Sequence, residues 1–136
     1  MRISNQYVNV NDTQIHLRSS GSSGYPISLF HQTPLSSRMY ERALPIIASR
    51  MHAFAFDTPG YGNSSPLKEK VSLEAYADNL LAAINALNID KLALAGFATG
   101  SAIAIVLAQK LGKRATHLIL AGTPVLSESE FQFFEE

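Results

Sequence analysis

Short apolar runs alternate with helical patterns along most of the chain, and that order constrains the fold more than any other feature. Pro26 to Phe30, Ala53 to Phe56, Lys91 to Ala95 and His117 to Ala121 read as short, largely apolar strands. Between the first two, Met39, Ala43, Ile46 and Ile47 recur at helical spacing within Met39 to Ser49, and Pro45 predicts a kink or a fresh helix start there. Ser72 caps the clearest helix, whose Leu73, Tyr76, Ala77, Leu80, Leu81, Ile84 and Leu87 share one face. Glu74 lies in its first turn, where the helix dipole favours a negative charge. Ala98 to Leu111 reads as a further helix, stopped by Gly112. Strands and helices in this alternation require a parallel sheet with right-handed crossovers. The expected class is α/β, a mostly parallel sheet with helices on both faces.

The first residues differ. Tyr7 to Val10 and Gln14 to Arg18 alternate apolar and polar around Asn11-Asp12, the pattern of an opening β-hairpin. Ser19 to Gly24 (SSGSSG) reads as a plain turn, since no phosphate-binding lysine accompanies its glycines. At the other end, residues 127–136 have the pattern of a capped amphipathic helix that begins and then stops.

Composition removes several function classes. Eleven basic and eleven acidic residues leave a formal net charge of zero, with no basic cluster for nucleic acid or an anionic membrane surface. Without cysteine the chain forms no disulfide, thiolate metal site or cysteine nucleophile. The longest nearly apolar stretch, Ser101 to Ala108, is too short to span a bilayer, and MRISNQYVNV lacks the apolar run of a signal peptide. A soluble, cytoplasmic protein is expected, with no metal and no cofactor.

In parallel α/β sheets functional groups collect at the carboxyl ends of the strands. Three segments fall there: His31-Gln32-Thr33-Pro34, Asp57-Thr58-Pro59-Gly60-Tyr61-Gly62, and Gly96-Phe97-Ala98-Thr99-Gly100-Ser101. In order, spacing and strand–turn context these resemble the α/β-hydrolase superfamily from Tyr7 to Pro124. DTPGYG is similar to that family's D-x-P-G-x-G turn, and LAGFATGSAIAIVLA to its nucleophile elbow. The resemblance implies an α/β-hydrolase fold, with 1–126 as the N-terminal part of the core domain and 127–136 as the start of a cap or C-terminal helix.

An elbow holds its nucleophile on a tight turn above the sheet edge. Residues two before and two after must be tiny so that the following helix clears the strand; Gly96 and Gly100 meet that demand and put position 98 at the tip. That position is alanine, and a methyl group cannot attack a carbonyl. Three explanations stand open: an engineered Ser-to-Ala change, a natural loss, or a misplaced tip with Thr99 or Ser101 acting instead. The last requires a hydroxyl on the helix side of the turn to reach the cavity.

The resemblance also implies an oxyanion hole built from the backbone N–H groups of Thr99 and Thr33. Gln32 stands where the family usually has glycine, and its amide is a candidate to enter the pocket. His31 is expected to hold its loop by hydrogen bonding to backbone, and Asp57 to satisfy turn N–H groups. In this family the acid and the catalytic histidine follow the nucleophile. After Ala98 the sequence has one histidine, His117, at the amino end of its strand, and it is read as structural. Glu128 and Glu130 are read as capping or solvating a helix start.

The leading expectation is a serine-hydrolase-family protein for small ester or acyl substrates, inactive as written because of Ala98 and the missing acid and histidine. The alternative is a non-catalytic ligand-binding or scaffold member of the fold. Lyase or oxygenase chemistry on a histidine base ranks lowest. HLILAG would form a bare edge strand, so the chain is expected to need further polypeptide, a second chain or a swapped copy to complete its sheet.

Overall fold

Asn11 and Asp12 take positive φ values of 48° and 60°. That is the backbone of a two-residue type I′ turn. It joins β1 (Ile3–Val10) to β2 (Thr13–Ser20) in an antiparallel register running from Ile3 opposite Ser20 to Val10 opposite Thr13. The computed structural model describes residues 2–124. After the hairpin come β3 (Tyr25–Phe30), α1 (Ala43–Ile47), β4 (Met51–Phe56), α2 (Leu73–Ala86), β5 (Leu92–Phe97), α3 (Thr99–Leu111) and β6 (Ala115–Ala121).

The strands form one six-stranded sheet in the order β1-β2-β4-β3-β5-β6. β4, β3, β5 and β6 run parallel, and the hairpin joins them through the antiparallel β2–β4 pair. The expected α/β class, mostly parallel sheet and opening hairpin are all present.

Alternation along the strands divides the interior between the two faces. One face carries Phe30, Phe54, Phe56, Leu92 and Leu94, which pack against Leu80 and Ile84 of α2 and Ile103 and Leu107 of α3. Each of these large side chains contributes roughly 1.5–3 kcal/mol when fully buried. The opposite face is built from Ile27, Leu29 and the small Ala53, Ala55 and Ala93, with Leu44 of α1 laid over them.

Ser72 accepts the Ala75 N–H at 3.0 Å, the N-cap bond expected at the start of α2. The helical spacing across Met39 to Ser49 resolves into two pieces. A 3-10 turn over Ser37–Tyr40 is capped by Ser36, and α1 then starts afresh at Ala43. Pro45 falls in the first turn of α1, where its missing N–H has no carbonyl to meet. β5 runs on through Gly96 and Phe97, beyond the Ala95 end read from its apolar run. At the far edge of the sheet β6 leaves Leu118, Ile119 and Leu120 between 39% and 55% exposed. The helix expected over 127–136, with Glu128 and Glu130, lies outside the described residues.

Candidate functional site

The carboxyl ends of three adjacent strands, β4, β3 and β5, meet at one edge of the sheet. Asp57, His31 and the β5–α3 turn follow them directly. At that turn Ala98 has φ 53° and ψ −118°, a backbone conformation that side-chain-bearing residues avoid. Its N–H donates to the Ala121 carbonyl at 2.9 Å and its carbonyl accepts the Ser101 N–H at 2.9 Å. The two neighbouring glycines explain how α3 comes so near the sheet. A Cβ at Gly96 would lie 2.7 Å from Ser101 Cα, and one at Gly100 would lie 2.7 Å from the His31 carbonyl oxygen. Any side chain there would push α3 off the sheet.

Ser101 is fully buried, and its hydroxyl donates to the carbonyls of Gly96 at 3.0 Å and Ala121 at 3.1 Å. Its oxygen is committed to tying the turn together. Thr99 is half-buried and its side chain faces the loop after β3. Thr33 N–H donates to Thr99 Oγ1 at 2.7 Å, and the Thr99 hydroxyl donates to Thr33 Oγ1 at 2.7 Å. As the first residue of α3, Thr99 also presents an N–H that no earlier helical turn accepts.

The loop carrying Thr33 is held from beneath by His31. This ring is buried, its Nε2 accepts the Thr58 N–H at 2.9 Å, and its Nδ1–H donates to the Gln32 carbonyl at 3.0 Å. An Nε2 that accepts is unprotonated, so the neutral tautomer is the one that fits. Burial pushes the His31 pKa below the ordinary imidazole value, against the opposing pull of the Gln32 carbonyl and the Asp57 charge. Gln32 carries the next bonds of the loop: its carbonyl also accepts the Leu35 N–H at 2.8 Å, and its N–H meets Met39 Sδ at 3.4 Å. Tyr40 donates its hydroxyl to the Phe30 carbonyl at 2.7 Å, and burial raises its pKa to about 12.

Asp57 is the second anchor. Its carboxylate is fully buried and accepts the N–H groups of Ser37 at 2.7 Å and Asn63 at 2.8 Å. His16 Nδ1 lies 2.7 Å from the same carboxylate, and Arg18 Nη1 lies 3.9 Å away while donating to Ser37 Oγ at 2.6 Å. Burial alone would raise the Asp57 pKa, but the hydrogen bonds from Ser37, Asn63 and His16 outweigh it and hold the group below its ordinary value. His16 in turn places Nε2 2.9 Å from Asn5 Oδ1, so the pair joins the hairpin to both loops. Sequence reasoning did not single out His16, Asn5, Arg18 or Ser37. A polar residue in an alternating strand gives no sign that both its faces are covered.

The structure therefore brings His31, Gln32, Thr33, Asp57, Ala98 and Thr99 to one edge. His117 aligns with Ala93, near the start of β5, and lies at the opposite edge. An open groove between the hairpin tip and residues 65–68 is lined by Asp12, Gln14 and Lys68 among others, and none of the elbow residues borders it. Among the described residues no group of three or more His, Cys, Asp or Glu could hold a metal ion, and no helix is long and apolar enough to cross a membrane.

Comparison with known proteins agrees with this architecture. The chain is 32% identical to the uncharacterized hydrolase YNR064C of Saccharomyces cerevisiae, over 78% of its own length and 37% of that protein's. It is 31% identical to the pimeloyl-[acyl-carrier protein] methyl ester esterase of Legionella pneumophila, over 77% of its length and 40% of the esterase's. Among solved structures, a haloalkane dehalogenase from Bradyrhizobium elkanii superposes with a TM-score of 0.83 at 27% identity, covering 89% of this chain and 40% of the dehalogenase. The chain thus spans well under half the length of these relatives. The model of the alpha/beta hydrolase fold family matches residues 25–135. With the family match, the strand order and the elbow in agreement, the chain belongs to the alpha/beta hydrolase fold family.

Proposed function

We propose that this chain carries the nucleophile-elbow and oxyanion-hole part of a serine-hydrolase-type site for small esters and related acyl compounds, and that as written it does not turn them over. The observation that carries the reading is the backbone of Ala98, held at φ 53° at the head of α3 beside two candidate oxyanion donors, the N–H groups of Thr99 and Thr33. Preorganised donors at such a position stabilise the charge that develops in acyl transfer. The similarity to a methyl ester esterase supports an ester as the substrate class. Inactivity follows from chemistry: acyl transfer needs an oxygen or sulfur nucleophile beside a base, and position 98 offers a methyl group.

A second reading, a ligand-binding member of the fold, is favoured by that same methyl group, since an acyl compound bound over Ala98 would not be consumed. Both readings call for further strands beyond β6, supplied by more polypeptide, a second chain or a swapped copy.

The test is made in the full open reading frame that encodes this chain, with Ala98→Ser compared to the parent on p-nitrophenyl butyrate. Turnover by the serine variant alone supports the hydrolase reading. Turnover by the parent overturns the inactivity. Butyrate binding with no turnover by either protein favours the ligand-binding reading.

A further inference from the structure

Thr99 follows the apex directly, and its side chain reaches across to a loop 66 residues earlier in the chain. The contact is reciprocal: Thr33 N–H donates to Thr99 Oγ1, and the Thr99 hydroxyl donates back to Thr33 Oγ1, both at 2.7 Å. One of the two backbone donors of the candidate oxyanion hole is thus occupied by a neutral acceptor belonging to the protein itself. The other, Thr99 N–H, belongs to the same residue that supplies that acceptor.

A ligand oxygen bonded by both N–H groups must displace Thr99 Oγ1 from Thr33. Rotation about χ1 of Thr99 to another staggered position accomplishes this without moving backbone. The exchange is selective. Hydrogen bonds to a charged oxygen are roughly twice as strong as neutral ones, so a carboxylate or a developing oxyanion outcompetes a threonine hydroxyl. An ether or alcohol oxygen is only the hydroxyl's equal and gains nothing by replacing it.

We propose that Thr99 is a specificity-determining residue: its hydroxyl occupies the Thr33 N–H as an internal competitor, which strongly polarised or anionic acyl oxygens displace and weak acceptors do not. This rests on the acyl-site reading above.

The experiment titrates the protein encoded by the full open reading frame with butyrate and, separately, with 1-butanol, following the Thr33 and Thr99 amide resonances and the exchange rate of the Thr33 amide with solvent. Parent, Thr99→Ala and Thr99→Ser are compared. In the parent the Thr33 amide is protected, and butyrate shifts it while butanol does not. Alanine removes the acceptor and leaves its place open, so Thr33 exchange accelerates and butyrate binds roughly three- to tenfold more tightly, the worth of one neutral hydrogen bond. Thr99→Ser, which keeps the hydroxyl, restores amide protection and the weaker butyrate affinity. Equal or weaker butyrate binding by Thr99→Ala overturns the proposal and leaves the acyl-site reading standing. Accelerated Thr33 exchange in Thr99→Ala, with butyrate bound by none of the three proteins, overturns the acyl-site reading and the displacement together.

Discussion

His31 Nε2 accepts the Thr58 N–H at 2.9 Å, and this bond, with that from Ser37 N–H to the Asp57 carboxylate, fastens the loop after β3 to the loop after β4. The His31 bond exists only while the ring is neutral. Burial lowers the His31 pKa, so the native state resists the proton that the unfolded chain accepts near pH 6.5. Stability is therefore fully present above about pH 6.5 and falls as the pH drops through the lowered native value. Urea unfolding at pH 7 and pH 5 should show this loss, and His31→Asn should reduce it. His52, also lowered by burial, contributes a residual effect of the same sign.

Asp57 has the opposite dependence. Its native pKa lies below the ordinary carboxylate value, so the stability it contributes is present above about pH 4 and is lost as the pH falls through the native value. Asp57→Asn removes the charge facing His16 and Arg18 and should destabilise the fold by about 3–5 kcal/mol at pH 7, as expected for breaking a buried pair. Chemical denaturation measures this directly. A loss below about 1 kcal/mol would mean that His16, Arg18 and the turn N–H groups are satisfied without the charge of the carboxylate.

The elbow glycines differ in their tolerance from Gly112. Gly100→Ala places a methyl group against the backbone carbonyls of Phe30 and His31, which cannot swing away. A loss of about 3 kcal/mol is expected, the upper end of overpacking effects. Gly112→Ala meets no atom within 4 Å and bears only the strain of a sparsely populated backbone conformation, about 2 kcal/mol. Thermal melts of the two variants should rank them in this order.

Ala98→Gly should stabilise the chain. Alanine at φ 53° and ψ −118° is strained and glycine there is not, so a gain of about 1 kcal/mol is expected, net of glycine's greater chain entropy. Denaturant midpoints report it, and an unchanged midpoint would mean that the turn relaxes around alanine at no cost.

The exposed edge at β6 should make the isolated 136-residue chain self-associate. Ile119→Lys puts a charge on that edge strand and should shift light-scattering mass toward the monomer. A monodisperse monomer before the substitution would contradict the need for a completing strand.

The sequence and the structure agree best where a local rule acts alone. Asn11-Asp12 announces its turn because few residues accept positive φ at two successive positions. Gly96 and Gly100 announce the elbow because only glycine lets α3 approach β5 and β3 so closely. The network around Asp57 was legible only in part. DTPGYG foretold a carboxylate bonded to turn N–H groups, and Asn63 supplies one. His16, Arg18 and Ser37 arrive from a hairpin and a loop whose meeting depends on strand order, which no local pattern encodes. The Thr33–Thr99 contact was hidden for a further reason. The family resemblance points only to the backbone N–H groups of these residues, and the contact depends on which rotamer one hydroxyl adopts.

The turn at residue 98 draws its shape from Gly96, Gly100, the Ala121 carbonyl and the Ser101 hydroxyl, through close approaches and hydrogen bonds of the backbone rather than through a side chain at residue 98. The apex is a socket whose geometry is indifferent to what is plugged into it. A change of side chain at position 98 therefore leaves in place the glycines and backbone bonds that bend the chain there.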